Sequence, residues 1–318
     1  MSVAVVSGTG FLGRAVMRHL AGMQVPAVAI ARGVTTPAGV PFARADRMDT
    51  DALRAIFRAR RVTAVVDIYA LGLRNAAPVI EAAAHQGARY VLVSSTDVYA
   101  NYEGLLRKGT PPVRHAPATE ESPLRVMRYP YRGNPNRPQG VGADLFDDYD
   151  KLPVEEALRA DTRLPHAILR PPMIFGPGDP QNRFGWAIEA ARAGGPVALD
   201  ARAAGWLNSY AFVDDVAAAL ALLALHPGAE GRTYNVALPD QHPQRWWLQA
   251  ILRHLGSDAA VTEVAPDANG LQAGRAEAMD LRYPLTLDST RIRRELGYAE
   301  ALTPDEALAR TLAAVVAG

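Results

Sequence analysis

The chain has 318 residues, of which 49% are hydrophobic and 21% charged, and its formal net charge at pH 7 is +1. These values predict a globular protein with one sizeable α/β core and a smaller second lobe, and the near-zero charge argues against nucleic acid as a partner. The lack of cysteine excludes disulfides, thiolate nucleophiles and zinc–thiolate sites. The seven histidines contain no H-x-x-x-H pair, so we expect no metal.

A glycine-rich turn lies close to the first residue. Residues 3–13 read V-A-V-V-S-G-T-G-F-L-G, which is a short apolar strand, a G-x-G-x-x-G spacing and the start of a helical pattern. The tight turn needs no side chain at Gly8, a pyrophosphate needs close approach at Gly10, and the helix packs on the strand at Gly13. This context predicts a dinucleotide site built from Gly8, Thr9, Gly10, Phe11, Leu12 and Gly13.

Strand and helix patterns then alternate along the chain. Strands are predicted at Val25–Ile30, Val62–Ile68, Tyr90–Ser94 and Ala167–Arg170. Helices are predicted at Asp51–Arg60, Ala76–His85, Asp148–Ala160, Ala187–Ala193, Val213–Leu225, Gln244–Leu255, Arg291–Leu296 and Pro304–Val316. Near-continuous apolar strands separated by helices are typical of a parallel, doubly wound sheet. No apolar run reaches the ~18 residues of a membrane span, and the first strand leaves no room for a signal peptide, so we expect a cytoplasmic protein without membrane contact.

Residues 101–146 break this alternation. They hold seven prolines and six arginines and show little periodicity. Because long irregular stretches in compact domains are usually functional lids or mobile segments, we interpret this one as an insertion over the active site. A passive surface excursion is the alternative. The insertion offers a substrate these side chains: Arg114, His115, Arg125, Arg128, Tyr129, Tyr131 and Arg132.

Three further stretches, taken with the glycine turn, resemble one family. They read V-L-V-S-S-T-D-V-Y-A at 91–100, D-K-L-P-V-E-E-A-L at 150–158 and L-R-P-P-M-I-F-G-P-G-D at 169–179. In this order they resemble the extended short-chain dehydrogenase/reductase superfamily, in its NAD-dependent epimerase/dehydratase branch. The resemblance implies an α/β Rossmann domain (1–172, with 207–237 returning to it) and a smaller mixed C-terminal substrate lobe (173–206 and 238–318). It also implies a small-molecule substrate and, as in many members, a homodimer.

The resemblance further implies roles for single positions. Ser95 matches the serine that bonds the reacting oxygen, and Lys151 matches the lysine that bonds the nicotinamide ribose and lowers the pKa of a neighbouring tyrosine. Cofactor contacts are implied for Asp46, Arg47, Ala70, Pro171 and Met173 as well. Substrate contacts are expected from Thr96, Tyr99, Tyr131 and Arg183.

The chain departs from the family at its acid/base. The family pattern is Y-x-x-x-K, but the residue four before Lys151 is Asp147, and Tyr149 lies about 200° from the lysine on a regular helix. Three explanations stay open. Asp147 acts as the acid/base, although its pKa beside a lysine favours a base over an acid. A tyrosine reaches the site from elsewhere, with Tyr149 at an irregular helix start as one candidate. Or the site binds nucleotide without redox chemistry.

The residue after the second strand bears on the choice of cofactor. NAD-preferring Rossmann proteins usually place an acidic residue there, whereas this chain has Arg32 and no acid. An arginine suits a 2′-phosphate, so the sequence favours NADP over NAD.

The sequence as a whole favours an NAD(P)-dependent oxidoreductase or epimerase/dehydratase-like enzyme that acts on a hydroxyl or carbonyl carbon of a small polar substrate. One alternative is an NADP-binding regulatory or RNA-associated protein without turnover. The other is a lyase, cyclase or hydrolase on the same fold that uses Asp147.

Overall fold

The computed structural model describes residues 1–33, 39–135, 137 and 142–316. Its strands are β1 (Val3–Val6), β2 (Ala27–Ala31), β3 (Phe42–Arg44), β4 (Ala64–Asp67), β5 (Arg89–Val93), β6 (His166–Arg170), β7 (Met173–Phe175), β8 (Val197–Asp200), β9 (Tyr210–Phe212), β10 (Arg232–Asn235) and β11 (Val261–Val264). Its α-helices are α1 (Phe11–Gly22), α2 (Thr50–Ala59), α3 (Leu73–Gln86), α4 (Ala100–Leu105), α5 (Ala143–Asp147), α6 (Lys151–Ala160), α7 (Gly185–Ala193), α8 (Ala201–Ala204), α9 (Val213–Leu225), α10 (Gln244–His254), α11 (Ala273–Ala278), α12 (Thr290–Leu296) and α13 (Pro304–Val316).

Seven parallel strands form one sheet in the order β3-β2-β1-β4-β5-β6-β10, which confirms the doubly wound fold. Both faces of this sheet are covered, and this explains why its strands are apolar throughout. Val3 and Val5 of β1 face the core beneath α1 and α9, whereas Ala4 and Val6 face the core beneath α2, α3 and α6. The strand order reverses beside β1, so the ligand crevice is expected at the carboxyl ends of β1 and β4.

The strands after β6 that lie outside this sheet form two small parallel pairs, β7 with β9 and β8 with β11. Within residues 207–237, α9 packs on α1 and β10 lies at the edge of the main sheet. One apolar core runs from the sheet into Phe175, Phe184 and Trp247. The boundaries of the smaller lobe therefore stay a prediction. The strands that the sequence missed span three or four residues, too few for a periodicity to show.

Two predicted boundaries need correction. The helix expected over 148–160 begins only at Lys151, where the Asp150 carboxylate caps it by accepting the Leu152 N–H at 3.1 Å. The stretch 101–146, expected to be irregular, overlaps α4 and contains most of α5. No helix within the described part of the chain is long and apolar enough to cross a membrane.

Candidate active site

A cavity of about 930 Å³ opens at the carboxyl ends of the central strands. The predicted site residues that line it are Thr9, Gly10, Phe11, Leu12, Arg32, Asp46, Arg47, Ser95, Tyr149, Lys151, Pro171 and Arg183. The predicted site residues outside its lining are Gly8, Gly13, Ala70, Thr96, Tyr99, Tyr131, Asp147 and Met173. The cavity therefore joins the glycine turn to the serine and lysine that the family resemblance selected.

The three glycines of the turn have different structural requirements. A Cβ on Gly8 would lie 2.7 Å from the Val5 carbonyl oxygen, and one on Gly13 would lie 2.6 Å from the Gly8 Cα. A Cβ on Gly10 would meet its nearest atom, the Ser7 oxygen, only at 3.8 Å. The first turn of α1 has no side-chain cap at Gly10, which leaves backbone N–H groups there for an anion. Gly8 and Gly13 thus serve the fold, whereas Gly10 keeps space open for a ligand.

Alanine at two of these glycines should separate binding from folding. Gly10 has φ −80°, which alanine adopts freely, so Gly10→Ala is expected to keep the free energy of unfolding within about 0.5 kcal/mol. Its methyl group fills ligand space, and we expect dinucleotide affinity to fall by roughly tenfold or more, about 1.4 kcal/mol. Gly13→Ala is expected to cost about 1–3 kcal/mol of stability through overpacking. Urea unfolding and fluorescence titration with NADPH check both, and wild-type affinity in Gly10→Ala would contradict the assignment.

The two arginines at the far end of the cavity differ in how they are bonded. Arg47 donates to both carboxylate oxygens of the buried Asp67, at 2.7 and 3.0 Å, and to the Asn75 carbonyl. The Asp46 carboxylate accepts the Met48 N–H at 2.9 Å. Arg32 is exposed, and none of the carboxylates in the described ranges forms an ion pair with it. Of these two arginines, Arg32 is therefore the one whose guanidinium is available to bind a ligand.

Lys151 is held by two backbone carbonyls, one at the end of β5 and one in the loop after β4. Its ammonium donates to the Ala70 oxygen at 2.7 Å and to the Val93 oxygen at 2.9 Å. Burial lowers the pKa of this lysine to about 8, against the opposing charges of Asp97 and Asp67. Ala70, for which a cofactor contact is implied by the resemblance, accepts from Lys151 through its carbonyl and lies outside the cavity lining, so that contact stays a prediction.

The lowered pKa of Lys151 predicts a stability that rises with pH. Between about 8 and the unfolded value of 10.5 the unfolded chain binds more protons at this position, so the free energy of unfolding increases by up to about 1.4 kcal/mol per pH unit. Below pH 8 the burial penalty is fully present. Urea unfolding of the wild type and Lys151→Met should show a difference that grows by about 2 kcal/mol between pH 8 and 10. Taking the difference between wild type and variant removes the contribution of the other titrating groups. Equal pH dependence of the free energy of unfolding in the two proteins would contradict a buried Lys151 ammonium.

Tyr149 lies in the irregular segment before α6 and points into the cavity. Its hydroxyl donates to Asp97 Oδ2 at 2.5 Å, and the neighbouring Ser95 hydroxyl acts to lower the pKa of the phenol. The Lys151 ammonium is 5.7 Å from the centre of its ring. Burial and the Asp97 charge hold the pKa of this phenol well above its usual value. The structure thus places Tyr149, which is two residues before the lysine in sequence, next to the predicted Ser95 and Lys151.

The regular helix assumed in the sequence argument is absent at this point, and this changes the place of Asp147. Asp147 ends α5, and its carboxylate accepts the Gly133 N–H at 3.0 Å outside the cavity. The chain turns between the two helices at residues 148–150 and passes close to Gly72, where a Cβ would lie 2.3 Å from the Asp148 oxygen. Asp147 and Lys151 therefore do not share a helix face, and the geometry gives Asp147 no contact with the cavity.

Asp97 is the site residue that the sequence argument missed. It is buried, it accepts the Tyr149 hydroxyl, and its Oδ1 has no hydrogen-bond partner among the described residues. Burial raises its pKa, opposed first by the nearby charge of Arg125. The available signal was an acid two residues after the predicted serine, directly beyond the carboxyl end of a central strand.

The predicted substrate residues have separate environments. The Tyr99 hydroxyl donates to Asn235 at 2.6 Å and accepts from Arg170 at 3.0 Å, which places it in a buried network away from the cavity. Thr96 is buried in a single helical turn after β5 and lines a second, much smaller cavity. Tyr131 packs on Tyr149 with ring centres 5.0 Å apart. Arg183 remains as the predicted substrate residue that lines the main cavity.

The insertion is attached to the site through buried contacts. Arg125 donates to Asp150 at 2.6 Å and to the Asp97 carbonyl at 2.9 Å, and both charged side chains of the pair are almost fully buried. Tyr131 stacks on Phe146 and its hydroxyl bonds that of Tyr102. Arg125 and Tyr131 thus hold the insertion next to Tyr149, whereas no described residue of the insertion before Leu145 lines the cavity. No cluster of three or more His, Asp or Glu suited to a metal ion occurs in the described ranges.

Comparison with known proteins gives a family match over part of the chain and a fold over nearly all of it. Residues 3–132 match the model of the NAD dependent epimerase/dehydratase family. No curated protein sequence matches the chain. Among solved structures, the UDP-glucose 4-epimerase of Thermus thermophilus in complex with NAD is 22% identical, with a TM-score of 0.69 over 99% of this chain and 98% of that one. The dTDP-glucose 4,6-dehydratase of Streptomyces venezuelae with NAD bound is 22% identical, with a TM-score of 0.72 over 100% and 98%. A short-chain dehydrogenase/reductase superfamily protein from Agrobacterium tumefaciens with bound NAD is 19% identical, with a TM-score of 0.70 over 100% and 98%.

Proposed function

We propose that this chain is an NAD(P)-dependent enzyme of the extended short-chain dehydrogenase/reductase superfamily, in its NAD-dependent epimerase/dehydratase branch, and that it acts on a hydroxyl or carbonyl carbon of a small polar molecule. The family match over residues 3–132 and the shared fold support this. The observation that carries this proposal is the single cavity that joins the Gly10 turn to Ser95, Tyr149 and Lys151. A bound nicotinamide dinucleotide supplies the hydride acceptor or donor. The residues of the chain bind it, orient the substrate and move the proton.

Tyr149 and Asp97 are proposed to carry the proton. Since the pKa of the Tyr149 phenol is raised, it is protonated at neutral pH and suited to donate to a carbonyl oxygen. In the direction of oxidation, the substrate hydroxyl proton passes to the Tyr149 oxygen while the phenol proton passes to Asp97 Oδ2. The raised pKa of Asp97 favours that acceptance. Ser95 is proposed to orient the reacting oxygen, and the Lys151 cation to favour negative charge on it.

The cofactor is proposed to be NADP, on account of Arg32. This guanidinium lines the cavity at the end of β2 without an ion-pair partner in the described part of the chain. The solved relatives named above carry NAD, so a nicotinamide dinucleotide is the shared feature and the 2′-phosphate is the finer proposal.

Arg32→Ala should report the choice between the two cofactors. Loss of a charge-assisted contact to a 2′-phosphate costs about 1.5–3 kcal/mol, so we expect NADPH affinity to fall roughly 10- to 100-fold while NADH affinity changes less than about twofold. Fluorescence titration measures both, with the exposed Arg58→Ala of α2 as the matched control. Equal losses for NADPH and NADH, or no loss, would count against NADP.

Turnover is the test of the whole proposal. Purified protein with NADPH or NADH is offered a panel of small hydroxy and keto compounds, and absorbance at the nicotinamide band is followed. Tight cofactor binding with no turnover on any compound would favour the regulatory alternative.

A homodimer stays a prediction, and sedimentation velocity at several concentrations tests it.

A further inference from the structure

Arg183 stands where the cavity borders the smaller lobe. Its side chain lines the cavity together with Tyr149 and Lys151, and it lies close enough to Tyr131 for their charges to interact. Tyr131 in turn packs on Tyr149. The Arg183 guanidinium is therefore next to the proposed reacting end of the cavity, rather than at the adenosine end where Arg32 lies.

This guanidinium lacks the partner that a mostly buried cation ordinarily has. Within the described ranges it forms no ion pair, and its Nε is buried without a hydrogen-bond acceptor. The acid whose charge acts most strongly on Arg183 is Asp179, but one oxygen of that carboxylate accepts the Gln181 N–H at 2.9 Å and the other accepts the Arg183 N–H at 3.0 Å. Asp179 is thus used to form its own turn. A buried donor of this kind costs free energy unless an acceptor arrives from outside.

A second guanidinium nearby also has a buried nitrogen without a hydrogen-bond partner. Arg275 has a buried Nη1 without a partner in the described part of the chain, and its Cζ lies 5.6 Å from the centre of the Trp206 ring. Burial is the main cause that lowers the pKa of Arg183, and the like charge of Arg275 adds to it. Two neighbouring guanidinium groups with unused buried donors are unfavourable alone and are stabilised by an anion.

The size of the space limits what this anion can be. The last lining residue in the chain is Arg183, and no residue of 184–316 contributes to the cavity wall. Tyr131, which interacts with Arg183, packs against a buried aromatic cluster of Tyr102, Trp206 and Tyr283. We infer that this cluster limits the group bound at Arg183 to a compact one.

We propose that the substrate is a small hydroxy or keto compound with one compact anionic group, a carboxylate or a phosphate, which Arg183 binds while the nearby positive charge of Arg275 adds to the attraction. The proposal rests on the proposed function, since it assigns the substrate class of the same cavity. It sets this chain apart from the relatives solved with nucleotide sugars or nucleotides.

Anion binding to protein saturated with NADPH tests this, because the cofactor then occupies its own phosphate sites. Isothermal titration calorimetry is run with inorganic phosphate, malonate, uncharged glycerol and UDP. Wild type is expected to bind malonate or phosphate but not glycerol. Tighter binding of malonate would indicate a carboxylate on the substrate, and tighter binding of phosphate would indicate a phosphate group. Arg183→Gln should weaken that anion roughly 10- to 100-fold, and Arg275→Gln should weaken it less. Arg253→Gln, at an exposed arginine of α10, serves as control.

The outcomes separate the two proposals. Absence of NADPH and NADH binding by wild type overturns the proposed function, whereas the anion titration of cofactor-free protein still reports on Arg183. Cofactor binding with equal anion affinity in wild type and Arg183→Gln overturns the anion site. No binding of malonate or phosphate overturns it as well, and UDP binding more tightly than either small anion overturns the limit on size.

Discussion

Replacing Tyr149 with phenylalanine is expected to lower kcat by about 10²- to 10⁴-fold, the range ordinarily supplied by a positioned proton-transfer group. The phenol is the group that approaches Ser95, and its hydroxyl is bonded to Asp97 at 2.5 Å. Cofactor affinity should stay within about threefold of wild type, because the ring remains and only the hydroxyl is lost. Turnover of the best compound from the panel and fluorescence titration with NADPH measure the two effects.

Asp147→Asn is the matched control for this prediction. Asp147 lies two residues before Tyr149, and its carboxylate contacts only the exposed Gly133 amide among its described hydrogen bonds. We expect kcat close to the wild-type value in this variant. A large loss in Asp147→Asn together with an active Tyr149→Phe would instead support the carboxylate as acid/base, and with it a lyase, cyclase or hydrolase chemistry.

Replacing Arg125 with methionine should lower the free energy of unfolding by about 3–5 kcal/mol, the cost of leaving one partner of a buried ion pair without the other. The pair with Asp150 is 2.6 Å long and its side chains are 0% and 1% exposed. Asp150 caps α6 and also accepts the Tyr129 N–H at 3.0 Å. Losing Arg125 therefore loosens both the insertion and the start of the helix that carries Lys151. Urea unfolding measures the loss.

Arg128 gives the matched control, because it lies on the same segment and pairs with Glu156 of the same helix. That pair is exposed, with 43% and 55% of its two side chains accessible, so Arg128→Met should cost no more than about 1 kcal/mol. Adding Asp150→Asn to Arg125→Met should recover part of the loss, since it removes the unpaired charge and keeps a cap. Similar losses in the two methionine variants would contradict the buried pair.

The sequence predicted the nucleotide half of the molecule well because its signals are local. An apolar strand, three glycines and a helix adjoin each other at residues 3–22, and the physical requirements of the turn act within that span. Apolar strands buried on both faces likewise predicted the doubly wound sheet without knowledge of any contact. Short edge strands such as β3 and β7 escaped, because three residues carry no periodicity.

The tertiary structure decided the chemistry of the site. The sequence alone determined that a dinucleotide turn, Ser95 and Lys151 are present and that the tyrosine one turn before the lysine is missing. It could not determine where Tyr149 points, because that depends on Asp150 and Arg125, which start the helix late through a contact between residues 25 positions apart. It also could not show that Asp67 occupies Arg47 while Arg32 and Arg183 lack a carboxylate partner in the described ranges. Whether a charge is free for a ligand depends on its partners in space, and these become neighbours only when the sheet has formed.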